Sequence, residues 1–314
     1  MNKRDQLYMQ LLEASKQQIE ENISAHKLSS GQIRSSFAQQ QALLRTNKQA
    51  PPPQMPLDFL AIGDSWFEYP LFDDTISFNN AIVAPMQLGS MGNPPPHVLN
   101  QALHGQLMKT MLSPENREKI IAVLKDRDQW LDEQTGLPDA ILVSAGGNDL
   151  VVPEYQLATY LNRGGGGLNI KRFQEALHSL HALYMDLFAL RDQHAKGVPI
   201  VAHCYDYAIP NGVHPICVRS AWLWPSLSLT GHDYNAGLHV LTQMMNLFHD
   251  MLAALARSPA NHFHLIDTRN TLARDASQPL GWANEIHPWH HGFTALATKF
   301  LAGLRAMPAF KHRI

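Results

Sequence analysis

Cysteine is scarce: Cys204 and Cys217 are the only two in a chain of 314 residues. Two cysteines cannot staple a small disulfide domain, and with no C-x-x-C pair there is neither a thiolate zinc knuckle nor a dithiol exchange motif. Excess charge is missing too. Lys plus Arg number 25 against 27 Asp plus Glu, a formal net charge of -2, so nothing in the balance suits a surface that neutralises a run of phosphates, and nucleic acid is not an expected partner. No apolar run approaches the roughly 18 residues that cross a bilayer, and the N-terminal charges are followed by Gln and Glu rather than by the apolar stretch of a signal peptide. No membrane span is expected, and the expected location is the cytoplasm. Three catalytic signatures are also absent: the G-x-S-x-G elbow, H-E-x-x-H, and a Lys-Ser/Thr after the glycines Gly164 to Gly167. An α/β-hydrolase, a zincin and a phosphate loop are thereby disfavoured, and the glycine run reads as a mobile loop. Two sets of histidines lie close in sequence: His287, His290 and His291, and His262 with His264. Among 17 histidines such clustering arises by chance, so no metal and no organic cofactor is expected.

What is present begins with a polar N-terminal stretch. Tyr8, Leu12, Ile19 and Ile23 are spaced by four, seven and four residues, which places them on one helical face and predicts one or two surface helices. These serve either as an arm for a partner or a second copy of the chain, giving a possible homo-oligomer, or as an extension packed on its own domain. The prolines Pro51, Pro52, Pro53 and Pro56 then end any helix, since proline lacks a backbone donor and fixes φ. The expected division is a helical extension with a Pro-rich linker over 1–56 and a main domain over 57–314. In the main domain, five short apolar runs, LDFLAIG, HVLNQAL, DAILVSA, VPIVAHC and HFHLID, alternate with helical periods at 170–195, 233–256 and 293–305. That alternation is the pattern of an α/β fold with a largely parallel sheet. Ligands of such sheets bind beyond the carboxyl ends of the strands, so the residues that follow each run are the ones to search.

Three of those ends carry chemically useful side chains. The first run closes on Gly63-Asp64-Ser65-Trp66, a serine on the turn beyond a strand. The third closes on Ser144-Ala145-Gly146-Gly147-Asn148-Asp149, which brings an asparagine amide to the same edge. After the last run comes Asn284-Glu285-Ile286-His287-Pro288, with a histidine ahead of a helix. Each block alone is a weak signal, for Gly-Asp-Ser and Gly-Asn-Asp are ordinary turn residues. In this order, each at a strand end, they are far more specific.

Over residues 57–305 the blocks resemble those of the SGNH, or GDSL-type, serine hydrolases. The resemblance implies a three-layer α/β/α sandwich with a five-stranded parallel sheet in the flavodoxin-like order 2-1-3-4-5, preceded here by the N-terminal helical extension. It also implies Ser65 as nucleophile, His287 as base, and an oxyanion hole made by the backbone N–H groups of Ser65 and Gly105 with the side-chain amide of Asn148. Gly105 is the best match to the family's glycine block, with Gly89 and Gly92 as competitors, and it is expected to open the helix QLMKTML. The implied reaction is hydrolysis of a small-molecule carboxylic ester through an acyl-enzyme; the family spans lipids, acylated sugars, thioesters and small acetyl esters, and a short acyl chain is the expectation here. An acyltransferase using the same serine on a sugar or lipid alcohol, and a catalytically lapsed binding protein, are the alternatives. The aromatics Trp66, Tyr205, Tyr207, Trp222, Trp224, Trp282 and Trp289 are expected near the rim, and the segment from Phe72 to Pro96 as a lid.

One position departs from the family pattern. The aspartate usual three residues before the histidine is Asn284 here. An asparagine orients an imidazole by a neutral hydrogen bond without stabilising the imidazolium by a full charge. Asn284 is the expected third member, with Glu285 and Asp267 as alternative carboxylates.

Overall fold

The structure, a computed structural model, describes residues 3–46, 54–72, 75–76, 81–87, 94–153, 155–215, 217–275 and 281–311. Five strands form one parallel sheet: β1 (Asp58–Gly63), β2 (His97–Asn100), β3 (Ala140–Ser144), β4 (Ile200–His203) and β5 (Phe263–Ile266), in the order β2-β1-β3-β4-β5. This is the implied order 2-1-3-4-5. Every residue of β1, β3 and β4 is buried, as a central parallel strand covered on both faces must be. That is why these strands read as unbroken apolar runs rather than as an alternation.

The helices are α1 (Lys3–Thr46), α2 (Val83–Gln87), α3 (Met108–Met111), α4 (Pro114–Lys125), α5 (Gly147–Val151), α6 (Ile170–His194), α7 (Trp224–Leu229), α8 (Tyr234–Ala256) and α9 (His290–Ala306). Helices α4, α6 and α8 pack side by side in one layer, and α2 packs on α9 in another, so the architecture is an α/β/α sandwich. The periodicity read from α6 is the buried face itself: Phe173, Leu177, Leu180 and Tyr184 are all buried. Asn169 Oδ1 accepts from the Arg172 N–H, and Asp233 Oδ1 from the Ala236 N–H, caps worth about 1 kcal/mol each to α6 and α8. None of the described helices is long and apolar enough to cross a membrane.

The N-terminal extension differs from expectation in its inward face. It is one continuous helix, and Tyr8 is exposed while the buried positions are Leu11, Ser15, His26 and Ser30. Leu11 is buried and Ile23 packs partly buried against the core, and polar side chains carry the rest of the docking. Hydrophobic spacing missed them because what holds α1 to the sheet edge is a hydrogen-bonded knot. Asp58 Oδ1 accepts from His26 Nε2 and from His97 Nδ1, each at 3.0 Å, while Asp58 Oδ2 accepts from the Leu131 N–H at 2.7 Å. The two imidazoles stack with centroids 3.8 Å apart, and Ser30 Oγ donates to the Gln129 carbonyl at 2.7 Å. Burial pushes the Asp58 carboxyl up, but the hydrogen bonds and charges of His26 and His97 more than reverse this and hold it below its ordinary value.

A depressed carboxylate contributes stability that is fully present above its unfolded pKa, ~3.9, and is lost as pH falls through the lower folded value. The knot is thus intact throughout the neutral range. Asp58→Ala leaves the buried His26 and half-buried His97 imidazoles and a backbone amide without their acceptor, and is expected to cost about 3 kcal/mol. Urea denaturation measures that cost, and limited proteolysis should show α1 released first.

Candidate active site

β1 ends in a turn that only glycine can make. Gly63 has φ +140, and a Cβ there would stand 2.1 Å from the Ser144 carbonyl oxygen of β3. Asp64 then pins the turn: its N–H donates to Ser144 O at 2.9 Å, Oδ1 accepts from Ser144 Oγ and the Trp66 N–H, and Oδ2 accepts from Tyr205 Oη. Burial raises the Asp64 carboxyl to about 6, with those donors working in the opposite direction. The outcome is a buried Ser65 held on a rigid corner at the carboxyl end of the sheet.

His287 arrives from the loop after β5. Ser65 Oγ lies 2.7 Å from His287 Nε2, and His287 Nδ1 lies 3.0 Å from Asn284 Oδ1. The ring is stacked on Tyr69, centroids 4.0 Å apart at 18°, and meets Trp222 edge-on at 5.6 Å. Burial, with a smaller contribution from His104, pushes the imidazole down to about 3, so it is a neutral acceptor at ordinary pH.

The proton sits on the useful nitrogen because the Asn284 amide cannot turn over. Its Oδ1 accepts from the backbone N–H of Ile286 (3.1 Å) and of His287 (2.9 Å), and its Nδ2 donates to Tyr69 Oη at 3.1 Å. A flipped amide would aim its own N–H bonds at two backbone N–H groups. With Oδ1 so fixed, Nδ1 of His287 must carry the hydrogen, which leaves the Nε2 lone pair for the Ser65 hydroxyl.

Gly105 and Asn148 border the same cavity as Ser65 and His287. Gly105 has φ +70 but lies in a turn: the helix it was expected to open begins only at Met108, where the N–H donates to Asp149 Oδ2 at 2.8 Å. Asp149, next to Asn148 on α5, thus ties the two blocks together. Asn148 Nδ2 also donates to the Gln106 carbonyl at 3.1 Å, which fixes that amide beside the Gly105 turn. The competitors Gly89 and Gly92 lie outside the described residues.

Neither alternative carboxylate reaches His287. Glu285 accepts from the N–H groups of Gly212, Leu223 and Trp224, so its buried carboxylate holds the loop that carries Trp222. Asp267 accepts from Arg269 and Cys204. Other expectations also change. The glycine run 164–167 is tied down, with the Gly165 N–H on Thr230 O and the Gly167 N–H on His232 Nε2. In the stretch expected as a lid, Ala81, Ile82, Val83 and Met86 are core residues against α9; the rest of it is largely outside the described residues. Among the described residues, the group with metal-ligand spacing is His26, Asp58 and His97. It lies at the opposite end of β1 from Ser65, and its ring nitrogens come side by side from stacked rings onto one oxygen.

The strand order, the serine on the turn after β1 and the histidine after β5 together reproduce the arrangement that the sequence resemblance implied. The fold is an α/β/α sandwich with the strand order which that resemblance implied. No family model and no curated protein matches the chain. Among solved structures it is similar to the lipase Lip_vut3 from a goat rumen metagenome (16% identity, 79% of this chain and 97% of that one, TM-score 0.48). It is also similar to phospholipase A1 of Streptomyces albidoflavus NA297 (13%, 82% and 100%, 0.49) and to Est24, a carbohydrate acetylesterase of Sinorhizobium meliloti (12%, 80% and 99%, 0.45).

Sequence reasoning missed Tyr69, which both stacks on His287 and receives the Asn284 amide. It also missed His104, which borders the cavity with its Nε2 buried and without a hydrogen-bond partner among the described residues, and its imidazole pushed down by burial to about 4. Tyr69 stands four residues beyond Ser65, a closeness in sequence that was the available signal. His104 had none beyond adjacency to Gly105.

Proposed function

We propose that the protein hydrolyses carboxylic esters through an acyl-enzyme on Ser65, with His287 as general base and acid, Asn284 as the residue that orients it, and Ser65 N–H, Gly105 N–H and the Asn148 amide as oxyanion donors. The observation that carries this reading is the Ser65 Oγ to His287 Nε2 contact of 2.7 Å with the tautomer held by Asn284. As Ser65 Oγ bonds to the ester carbon, its proton passes to Nε2, and charge gathers on the carbonyl oxygen. The bond to the alkoxy oxygen then breaks while Nε2 returns the proton to that oxygen, releasing the alcohol. Water attacks the acyl-enzyme by the same route, giving up its proton to Nε2, and Ser65 takes it back as the acid leaves.

A short acyl group is supported by the space beside Ser65. Two cavities meet there. The larger, about 580 Å³, is lined by His287; the smaller, about 70 Å³, is not, and is walled by Trp66, Tyr205, Leu241, Met244 and Trp282. The leaving oxygen must face Nε2, so the alcohol belongs on the larger side and the acyl chain in the smaller. Apolar cavities of ~150 Å³ hold a benzene ring; one of half that volume suits about two to four carbons.

A fluorophosphonate probe with peptide mapping is expected to label Ser65, and a p-nitrophenyl ester series to peak between acetate and butyrate. No labelling of the folded protein would remove the nucleophile from this reading, and a peak at long chains would remove the short-acyl assignment. Labelling accompanied by transfer to an added alcohol without release of acid would favour an acyltransferase.

A further inference from the structure

We infer that α1 is a substrate-binding element: Tyr8, Met9 and Leu11 wall the leaving-group side of the site, which takes esters of a bulky, mainly apolar alcohol about two linked rings in size. This rests on the reading of Ser65 and His287 as nucleophile and base.

The helix reaches the reacting centre itself. Tyr8 Oη stands 3.6 Å from the position of a Cβ on Gly105, and the Tyr8 ring meets the edge of His104 at 6.1 Å. Ser15 Oγ and His104 Nδ1 lie 3.2 Å apart, and Asn22 Nδ2 donates to the Asn100 carbonyl at the end of β2. Together with the His26 knot, these contacts fix α1 along the loop that carries Gly105. At its start, Asp5 pairs with Arg219 through Nε and Nη2, which joins α1 to the segment forming the opposite wall. The ion pair closes the cavity rim and commits the charged groups to each other. What remains to face a ligand is largely apolar or aromatic: Tyr8, Met9, Tyr155, Val218 and Trp222. Tyr8, Met9 and Tyr155 are 38%, 52% and 48% exposed, an apolar surface that the described residues leave open, of the kind that marks a ligand groove.

The volume and the chemistry of this wall select the alcohol. About 580 Å³ falls within the ~300–1,000 Å³ of sites that enclose a ligand of drug size, far more than a methyl or ethyl ester fills. A sugar of that size would bury many hydroxyls, each needing a partner. The exposed area of this wall is mainly apolar, although Tyr155, Ser220 and the buried Nε2 of His104 also line it. An aryl or polycyclic alcohol meets the lining without that cost.

The test compares phenyl, 2-naphthyl and 4-biphenylyl acetates, whose acyl group is constant. For the wild-type protein, kcat/KM is expected to rise about tenfold or more from phenyl to biphenylyl. Tyr8→Ala and Met9→Ala should each reduce that ratio by about threefold or more, chiefly through KM. Leu28→Ala, on an exposed part of the same helix, should leave it unchanged. A wild-type ratio near one, or a ratio indifferent to Tyr8→Ala and Met9→Ala, would overturn the assignment.

Binding of 4-phenylphenol to the Ser65→Ala protein, followed by calorimetry, separates this inference from the hydrolase reading. Esters cleaved with no binding of 4-phenylphenol would defeat the α1 wall alone. Binding that weakens in the added Tyr8→Ala variant, with no ester cleaved, would defeat the hydrolase reading and leave α1 as a wall for a bulky apolar ligand.

Discussion

Ser65→Ala is expected to lower kcat for a short-chain ester by about 10⁴ to 10⁶-fold, because it deletes the atom that forms the acyl-enzyme. His287→Ala should cost a similar factor, and the double variant little more, since a serine without its base and a base without its serine fail at the same step. Stability should change far less. Among the described residues Ser65 Oγ makes one hydrogen bond, to His287, and the loss of one such bond is worth ~1 kcal/mol. The pH profile offers a second measure. The base is held down to about 3 by burial, with His104 adding to the shift. Protons therefore begin to compete for it only in acid, and kcat/KM should stay level as pH falls from about 8 to about 5, with none of the loss near ~6.5 that an ordinary histidine imposes. Steady-state rates across that interval decide the point.

The parts of the fold and site that were legible in the sequence are those whose cause is local. β1, β3 and β4 are buried on both faces, so their sequences are apolar without interruption, and the α6 face repeats at helical spacing because one layer of sheet lies beneath it. Ser65, Asn148 and His287 were found because each follows a strand, and a parallel sheet brings all such ends to one rim. What stayed hidden depends on partners distant in sequence. Of the apolar face that Tyr8, Leu12, Ile19 and Ile23 predicted for α1, Ile23 packs against the core, yet the helix also docks through His26 on Asp58 and Ser30 on the Gln129 carbonyl. No periodicity marks a polar contact with residues 32 and 99 positions away. Glu285 is adjacent to Asn284, and only the fold shows that its acceptors are spent on the 212–224 loop. The role of Tyr69 likewise appears only once His287 has been brought onto its face.

Asn284 is the position at which charge is traded for geometry, and its substitution is expected to move activity in both directions. Its Oδ1 holds His287 Nδ1 at 3.0 Å while two backbone N–H groups keep the amide from turning. This differs from a bare Asp-to-Asn exchange in a serine-hydrolase triad, where the amide can present its N–H to the imidazole and trap the wrong tautomer, at a cost of about 10⁴ in kcat. Here that tautomer is avoided, and what is missing is the full negative charge beside the imidazolium. Asn284→Asp keeps the three Oδ1 contacts, and Tyr69 Oη, now an acceptor for Asn284 Nδ2, can turn its hydrogen toward the new oxygen. The added charge favours protonated His287, so kcat is expected to rise by about tenfold or more while an acid limb appears in the pH profile above the present value. Asn284→Ala frees the imidazole to rotate and to exchange tautomers, and should lower kcat by about 10² to 10³-fold with KM little changed. An aspartate variant with neither the rise nor the acid limb, or an alanine variant as active as the wild type, would mean that His287 is oriented by its stacking on Tyr69 and not by residue 284.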